Sequence, residues 1–197
     1  MKFTDGYWLT RPGLTPLFAV EVDDIRIDET AGTLTVYAPT THIRHRGDTL
    51  NRPMITVTYS SPAPGVVKVR VQRHAGAVHR GPDFAITAED GFTPSVSVSD
   101  TEGALRTGDL TVRVARGDGW NVTFEEDGRV LTRSEPRSIA HYTETVSRDH
   151  AAPRTWVHQQ LALAPGERVY GFGERFGAFA KNGQVIESWN ADGGTSS

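Results

Sequence analysis

The sequence predicts an all-β protein with the architecture of an antiparallel β-sandwich. The first observation is that apolar and polar residues alternate in short runs, as in residues 66–72, where Val67, Val69 and Val71 share one face. The second is that turns rich in Gly, Pro or Asp-Gly separate these runs at intervals of about 8–12 residues. The third is that no segment of about 12 residues has the period of an amphipathic helix. Roughly nine to eleven short strands arranged in this way indicate a sandwich.

The N-terminal half contains two predicted hairpins. Its predicted strands share the alternating pattern and span residues 17–22, 25–27, 34–37, 54–59 and 66–72. The turn at residues 28–32 joins the second of these strands to the third, and the Pro/Gly break at 62–65 joins the fourth to the fifth. One face of the second hairpin is apolar and the other is polar, so we expect one face in the core and one in solvent.

The C-terminal half repeats the pattern. Its predicted strands span residues 95–99, 110–114, 120–124, 129–132 and 156–163. A glycine-containing turn at 116–119 separates the second of these strands from the third, and Asp127-Gly128 separates the third from the fourth. Asp-Gly is a strong hairpin signal because Gly adopts positive φ without a steric penalty.

Composition limits the function classes. The chain has 197 residues, with 21 basic and 24 acidic side chains, and its net charge of −3 argues against a nucleic-acid partner. No apolar run approaches the ~20 residues of a membrane span, and the N-terminal residues lack the pattern of a signal peptide. Cysteine is absent, which excludes disulfides and thiol chemistry. We therefore expect a cytoplasmic protein without a membrane partner.

Neither a metal site nor a nucleotide site is predicted. His42 and His45 are three residues apart, but Arg44 and Arg46 flank them with positive charge, and no third ligand has fitting spacing. Residues 171–173, Gly-Phe-Gly, lack the remaining glycine spacing and the βαβ context of a phosphate-binding loop. Two glycines so close together favour instead a backbone that passes near a bulky group. No cofactor is expected.

The C-terminal segment is too apolar for a disordered tail. It contains Phe172, Phe176, Phe179, Ile186 and Trp189, yet the sequence stops at Gly-Gly-Thr-Ser-Ser without a closing element. We interpret this as a chain that was cut, with the packing partners of these side chains beyond residue 197. The carboxylates Glu174, Glu187 and Asp192 lie in the same segment. They have two interpretations, as a pair of the glycosidase type or as local structural groups.

Motifs at both ends of the chain resemble one family. Residues 169–176 are Val-Tyr-Gly-Phe-Gly-Glu-Arg-Phe, and residues 187–196 are Glu-Ser-Trp-Asn-Ala-Asp-Gly-Gly-Thr-Ser. These resemble glycoside hydrolase family 31, and more narrowly its bacterial α-xylosidase branch, whose opening residues are similar to residues 5–9 here. The resemblance implies that residues 1–165 form the galactose-mutarotase-like N-terminal sandwich. Residues 166–197 would then be the last strand and a loop leading toward a (β/α)₈ catalytic barrel that the chain lacks.

The resemblance also implies where the chemistry lies. The nucleophile and the acid/base of the family are aspartates on barrel loops, so this chain would contain no catalytic residue and would be inactive alone. In the family, a late loop of the N-terminal domain helps to shape the aglycone subsite, and its sugar-contacting aspartate corresponds to Asp192. In the family the residue before it is often Arg but is Ala191 here, so the resemblance implies the loss of one contact or ion pair. Loop support is expected from Trp189, Gly193, Gly194, Glu174 and Arg175.

Three functions remain open at this stage. The first is an accessory domain of a retaining α-glycosidase that acts on α-linked oligosaccharides containing xylose or glucose and packs on the catalytic barrel. The second is a free-standing carbohydrate-binding or structural sandwich. The third is an aldose epimerase, which requires a His and a Glu in one cleft. The fold alone does not separate them, but the motifs favour the first.

Overall fold

The computed structural model describes residues 3–6, 9–73, 87–145, 153–173 and 177–186. Over these ranges the secondary structure is β, apart from one 3₁₀ turn at Arg46–Thr49. No helix among the described residues is long and apolar enough to cross a membrane. The chain divides into two compact units, one formed by Thr15–Ala162 and one by Met1–Leu14 with Leu163–Ser197.

The strands of the described residues are short and nearly all antiparallel to their neighbours. In chain order they are β1 (Thr4–Asp5), β2 (Leu9–Thr10), β3 (Leu14–Phe18), β4 (Glu21–Val22), β5 (Asp24–Asp28), β6 (Thr33–Pro39), β7 (Met54–Ser60), β8 (Lys68–Gln72), β9 (Ser95–Val98), β10 (Glu102–Thr107), β11 (Leu110–Ala115), β12 (Gly117–Asp118), β13 (Val122–Glu126), β14 (Arg129–Ser134), β15 (Ile139–Glu144) and β16 (Thr155–Gln159).

Two antiparallel meanders dominate the larger unit. One sheet has the order β5-β6-β7-β8, and the other has the order β14-β13-β11-β10-β9. The four predicted hairpins are confirmed: β5 pairs with β6, β7 with β8, β11 with β13, and β13 with β14 across Asp127-Gly128. Consecutive strands are therefore spatial neighbours in both sheets.

The core lies between these two sheets. The four-stranded sheet contributes buried side chains such as Leu34 and Tyr59, and the five-stranded sheet contributes Val112 and Phe124. The rings of Tyr59 and Phe124 meet edge to face, with centroids 6.4 Å apart. A close-packed apolar layer between two sheets confirms the predicted β-sandwich.

A smaller sheet, β16-β15-β3, completes the larger unit. The predicted strand 17–22 is divided, because Ala19 N–H bonds to Ile139 on β15 whereas Val20 N–H bonds to Pro39 on β6. This segment therefore passes from one sheet to another, and only Glu21–Val22 continues as the short β4. The predicted strand 156–163 is also shorter, since β16 ends at Gln159.

Candidate functional site

The predicted site residues lie in two segments near the C-terminus. Glu174 and Arg175 belong to residues 174–176, and Trp189, Asp192, Gly193 and Gly194 belong to residues 187–197. All six lie outside the described residues, so their predicted roles stay predictions. The structure does describe the backbone on both sides of the first segment and immediately before the second, at residues 163–173 and 177–186.

The Asn182 side chain joins residue 182 to residues 167–169. Its Oδ1 accepts the Val169 N–H at 2.9 Å, and its Nδ2 donates to the Glu167 carbonyl at 3.0 Å. The Lys181 N–H also donates to the Val169 carbonyl at 2.8 Å, beside an antiparallel bridge between Tyr170 and Ala180. One amide side chain thus satisfies two backbone groups and fixes the chain before and after residues 174–176 relative to each other.

Lys181 and Gln184 stabilise the turn that leads toward residue 187. Lys181 is buried, and its Nζ donates to the Ala178 carbonyl at 2.8 Å. The Gln184 Nε2 donates to the Ala180 carbonyl at 2.7 Å, and its backbone N–H bonds to the Lys181 carbonyl. These hydrogen bonds therefore fix the backbone up to Gln184, close to the end of the described residues that precede Trp189 and Asp192.

Three large apolar side chains are exposed on this segment, two of them as a pair of aromatic rings. Tyr170, Phe179 and Val185 have exposed fractions of 51%, 79% and 51%, and we call these three side chains the apolar face. The Tyr170 and Phe179 rings lie 5.0 Å apart at an interplanar angle of 36°. A cluster of exposed aromatic residues is characteristic of a surface that binds another domain or a ligand.

The Gly-Phe-Gly run adopts left-handed backbone throughout. The φ angles of Gly171, Phe172 and Gly173 are 137°, 69° and 64°. A Cβ added at either glycine would meet no atom of the described residues within 4 Å, so close packing within the described part of the chain does not require these glycines. The positive φ angles supply a conformational reason for both glycines, and the interpretation that the backbone passes near a bulky group stays a prediction. Phe172 adopts the same region at a steric cost, which is a feature typical of functional segments.

The two histidines considered for metal binding have separate local partners. His42 Nδ1 lies 2.9 Å from Glu21 Oε2, while Glu21 Oε1 accepts the Ile43 N–H. His45 Nδ1 instead accepts the Gly47 N–H at the start of the 3₁₀ turn. Both carboxylate oxygens of Glu21 therefore interact with groups of the loop at residues 40–45, which is a structural role. Among the described residues no group of three or more potential metal ligands occurs.

Comparisons with known proteins agree on one family. The family model described as "Glycosyl hydrolase 31 N-terminal galactose mutarotase-like domain" matches residues 56–197. The α-xylosidase XylQ of Lactiplantibacillus pentosus is 36% identical over 197 residues, covering 100% of this chain and 25% of that protein. An α-xylosidase of Emericella nidulans is 32% identical over 214 residues, covering 100% of this chain and 27% of that protein. The chain thus spans about a quarter of the length of these curated relatives.

Solved structures share the fold. The uncharacterized protein lmo2446 of Listeria monocytogenes superposes with a TM-score of 0.60 at 13% identity, covering 88% of this chain and 14% of that chain. The dextranase FjDex31A of Flavobacterium johnsoniae, a mutant complexed with isomaltotriose, superposes with a TM-score of 0.59 at 14% identity, covering 89% and 19% of the two chains. At these identities the likeness concerns the fold alone.

Proposed function

Because the chain belongs to the family of glycosyl hydrolase 31 N-terminal galactose mutarotase-like domains, we propose that it is the accessory domain of a retaining α-glycosidase of the α-xylosidase type. Two α-xylosidases align along its full length and are about four times as long. In this proposal residues 1–165 are the sandwich, residues 166–197 lead toward the catalytic barrel, and the catalytic pair lies on the barrel. A retaining mechanism needs two carboxyl groups about 5 Å apart, so the chain alone is inactive.

The observation that carries the proposal is the apolar face. Tyr170 precedes residues 174–176, and Phe179 and Val185 lie between those residues and residues 187–197, so all three flank the segments for which the family resemblance predicts site residues. An aromatic side chain that moves from water into an interface contributes roughly 1.5–3 kcal/mol. A catalytic barrel that follows in the same chain is therefore the partner we assign to this face.

The second part of the proposal concerns the aglycone subsite. Asp192 would accept hydrogen bonds from sugar hydroxyls, because a carboxylate offers two acceptor oxygens. Gly193 and Gly194 would allow close approach of the backbone to the sugar, and Trp189 would support the loop. The hydrogen bonds of Asn182, Lys181 and Gln184 support this role, since they fix the chain up to residue 184.

The test compares the full-length protein with residues 1–197. Both are assayed on aryl α-xyloside and aryl α-glucoside under the same conditions. We expect the full-length protein to hydrolyse at least one of them, with xyloside preferred, and residues 1–197 to hydrolyse neither. Hydrolysis by residues 1–197, lost on replacement of Glu174 or Asp192, would place the catalytic site in this chain and contradict the proposal.

A free-standing carbohydrate-binding module is the second candidate, and the Tyr170–Phe179 ring pair favours it. Exposed aromatic rings stack on sugar faces, so the same surface has the chemistry of a sugar-binding platform. Binding of a xylo- or gluco-oligosaccharide to residues 1–197, lost in Tyr170→Ala, would favour this candidate. Under the accessory-domain proposal no such binding is expected from this chain alone.

A further inference from the structure

A surface depression lies at one end of the four-stranded sheet. Its volume is about 670 Å³, and its lining residues are Asn51, Arg52, Pro53, Met54 and Arg73. Small-molecule sites commonly have volumes of about 300–1,000 Å³. The depression is therefore large enough for a ligand of monosaccharide size. None of its lining residues belongs to the predicted subsite.

The sheet register explains why these residues meet. Thr56 on β7 lies opposite Gln72 on β8, so the start of β7 and the chain just after β8 are at the same end of the sheet. Thr40, the residue after β6, donates from its Oγ1 to the Pro53 carbonyl at 3.0 Å and so fixes the lining segment. Asn51 adopts a φ of 56° in the turn before β7. The lining is thus built on one end of the sheet and on a turn that contains a residue with positive φ.

The lining side chains of the depression carry positive charge and no negative charge. Arg52 and Arg73 both line it, and no ion pair or hydrogen bond joins either guanidinium to another described residue. Arg113, by contrast, bonds to Glu102 at 2.7 Å and to Glu125 at 3.1 Å on the five-stranded sheet. Two unpaired guanidiniums beside one depression create a positive potential that attracts an anion.

A buried histidine lies near Arg73. His141 on β15 is 3% exposed, and neither of its ring nitrogens has a hydrogen-bond partner among the described residues. Burial lowers the pKa of His141, and the nearby positive charge of Arg73 lowers it further, so the ring is neutral at pH 7. A neutral imidazole offers one donor and one acceptor, and buried polar groups of native proteins normally have partners.

We propose that this depression, the Arg52–Arg73 depression, binds the oxyanion of a small molecule, either a phosphate or a carboxylate. The planar guanidinium fork forms paired hydrogen bonds with both groups. The Asn51 amide adds a neutral donor, and its acceptor oxygen accommodates a hydroxyl of the same ligand. A neutral sugar would leave both guanidiniums without a counter-charge, so the ligand class is an acidic or phosphorylated small molecule. The proposal is independent of the accessory-domain function.

The test is calorimetric titration of the full-length protein at low salt with two probes, inorganic phosphate and glucuronate. The variants are Arg52→Gln and Arg73→Gln, and the control is Arg70→Gln, an exposed arginine on β8 outside the depression. We expect at least one probe to bind, and each depression variant to raise its Kd by about tenfold or more, the loss typical of a charge-assisted hydrogen bond. The control should leave the Kd unchanged. Thermal unfolding of each variant verifies that the fold is retained.

The two probes separate the ligand sources. Phosphate binding alone assigns a phosphorylated ligand, and glucuronate binding alone assigns a carboxylated one. Binding of neither probe at millimolar concentration overturns the proposal. An equal loss of affinity in Arg70→Gln also overturns it, because the effect would then come from net charge and not from this depression.

Discussion

At the scale of single residues, Gly103 shows how closely the two large sheets pack. It lies on β10, and a Cβ built there would be 2.7 Å from Ile25 Cγ2 and 2.9 Å from Leu34 Cδ1. Both contacts are with side chains of the opposite sheet, and both side chains are buried. The absence of a side chain at this position is what allows β10 to approach β5 and β6.

Gly103→Ala should therefore lower the free energy of unfolding by about 1–3 kcal/mol, the usual cost of overpacking a core. Urea denaturation of the wild type and the variant measures the difference. Ser97→Ala on the neighbouring β9 is the control, because Ser97 is exposed and should change stability little. An unchanged unfolding midpoint in Gly103→Ala would mean that the two sheets accommodate the added methyl group without loss of stability.

Asp192 is the residue on which the proposed subsite depends. In the full-length protein, Asp192→Ala should lower kcat/KM for disaccharides roughly ten- to a hundredfold, because a hydrogen bond to a charged group contributes about 1.5–3 kcal/mol. Nitrophenyl glycosides and glycosyl fluorides lack the leaving-group hydroxyls and should be affected much less. Asp100→Ala, which removes an exposed carboxylate between β9 and β10, is the control.

The comparison of substrates distinguishes the possible roles of Asp192. An equal loss for both substrate types would assign it to the reacting sugar or to the fold. No loss for either would leave it a local structural group, and the aglycone role would be wrong.

At the scale of elements, the sequence predicts the strands that have one apolar and one polar face. The hairpins at β5–β6, β7–β8 and β11–β13–β14 follow alternation and turn chemistry, and these are local signals. Strand β15 was not predicted, because Ile139–Tyr142 are buried on both faces and so do not alternate. Strand β10 was missed because its core face contains Gly103 and Thr107 beside Leu105, which weakens the apolar signal.

The candidate site is harder to predict from the sequence than the strands are. The family resemblance identifies Asp192 and its neighbours as candidates, whereas the Asn182 hydrogen bonds to Val169 and Glu167 depend on the folded backbone. No periodic pattern in the sequence predicts that an asparagine side chain will form hydrogen bonds with backbone groups 13 and 15 residues earlier in the chain. The Arg52–Arg73 depression is likewise invisible in sequence, since its two sides are joined only by the register of β7 and β8.

The element that precedes the candidate subsite should depend on Asn182. Asn182→Ala removes both side-chain hydrogen bonds, so we expect the Val169 amide to exchange with solvent about tenfold faster or more. Hydrogen–deuterium exchange resolved to this segment measures the change. Asn121→Ala, an exposed asparagine in the larger unit, is the control. Unaltered exchange at Val169 would show that the Lys181–Val169 backbone bond alone holds the segment.

At the scale of the whole molecule, the chain is about a quarter of the length of its curated relatives. It contains a complete apolar core between two sheets, yet it leaves Tyr170, Phe179 and Val185 in solvent. Exposed aromatic pairs such as Tyr170 and Phe179 are typical of surfaces that dock onto a neighbouring domain. This is the expectation for an accessory domain whose partner lies in the same polypeptide.

Phe179→Ser tests that expectation. If the apolar face packs on the catalytic barrel, the substitution should destabilise the full-length protein by about 2–4 kcal/mol, because a buried aromatic side chain is lost. The same substitution in residues 1–197 should change stability by less than about 0.5 kcal/mol, since Phe179 is 79% exposed there. Thermal and urea unfolding of both lengths measure the difference.

Val66→Ser is the control, because Val66 is an exposed apolar residue of the larger unit and should behave alike at both lengths. Equal, small effects of Phe179→Ser at both lengths would mean that the barrel does not cover this face.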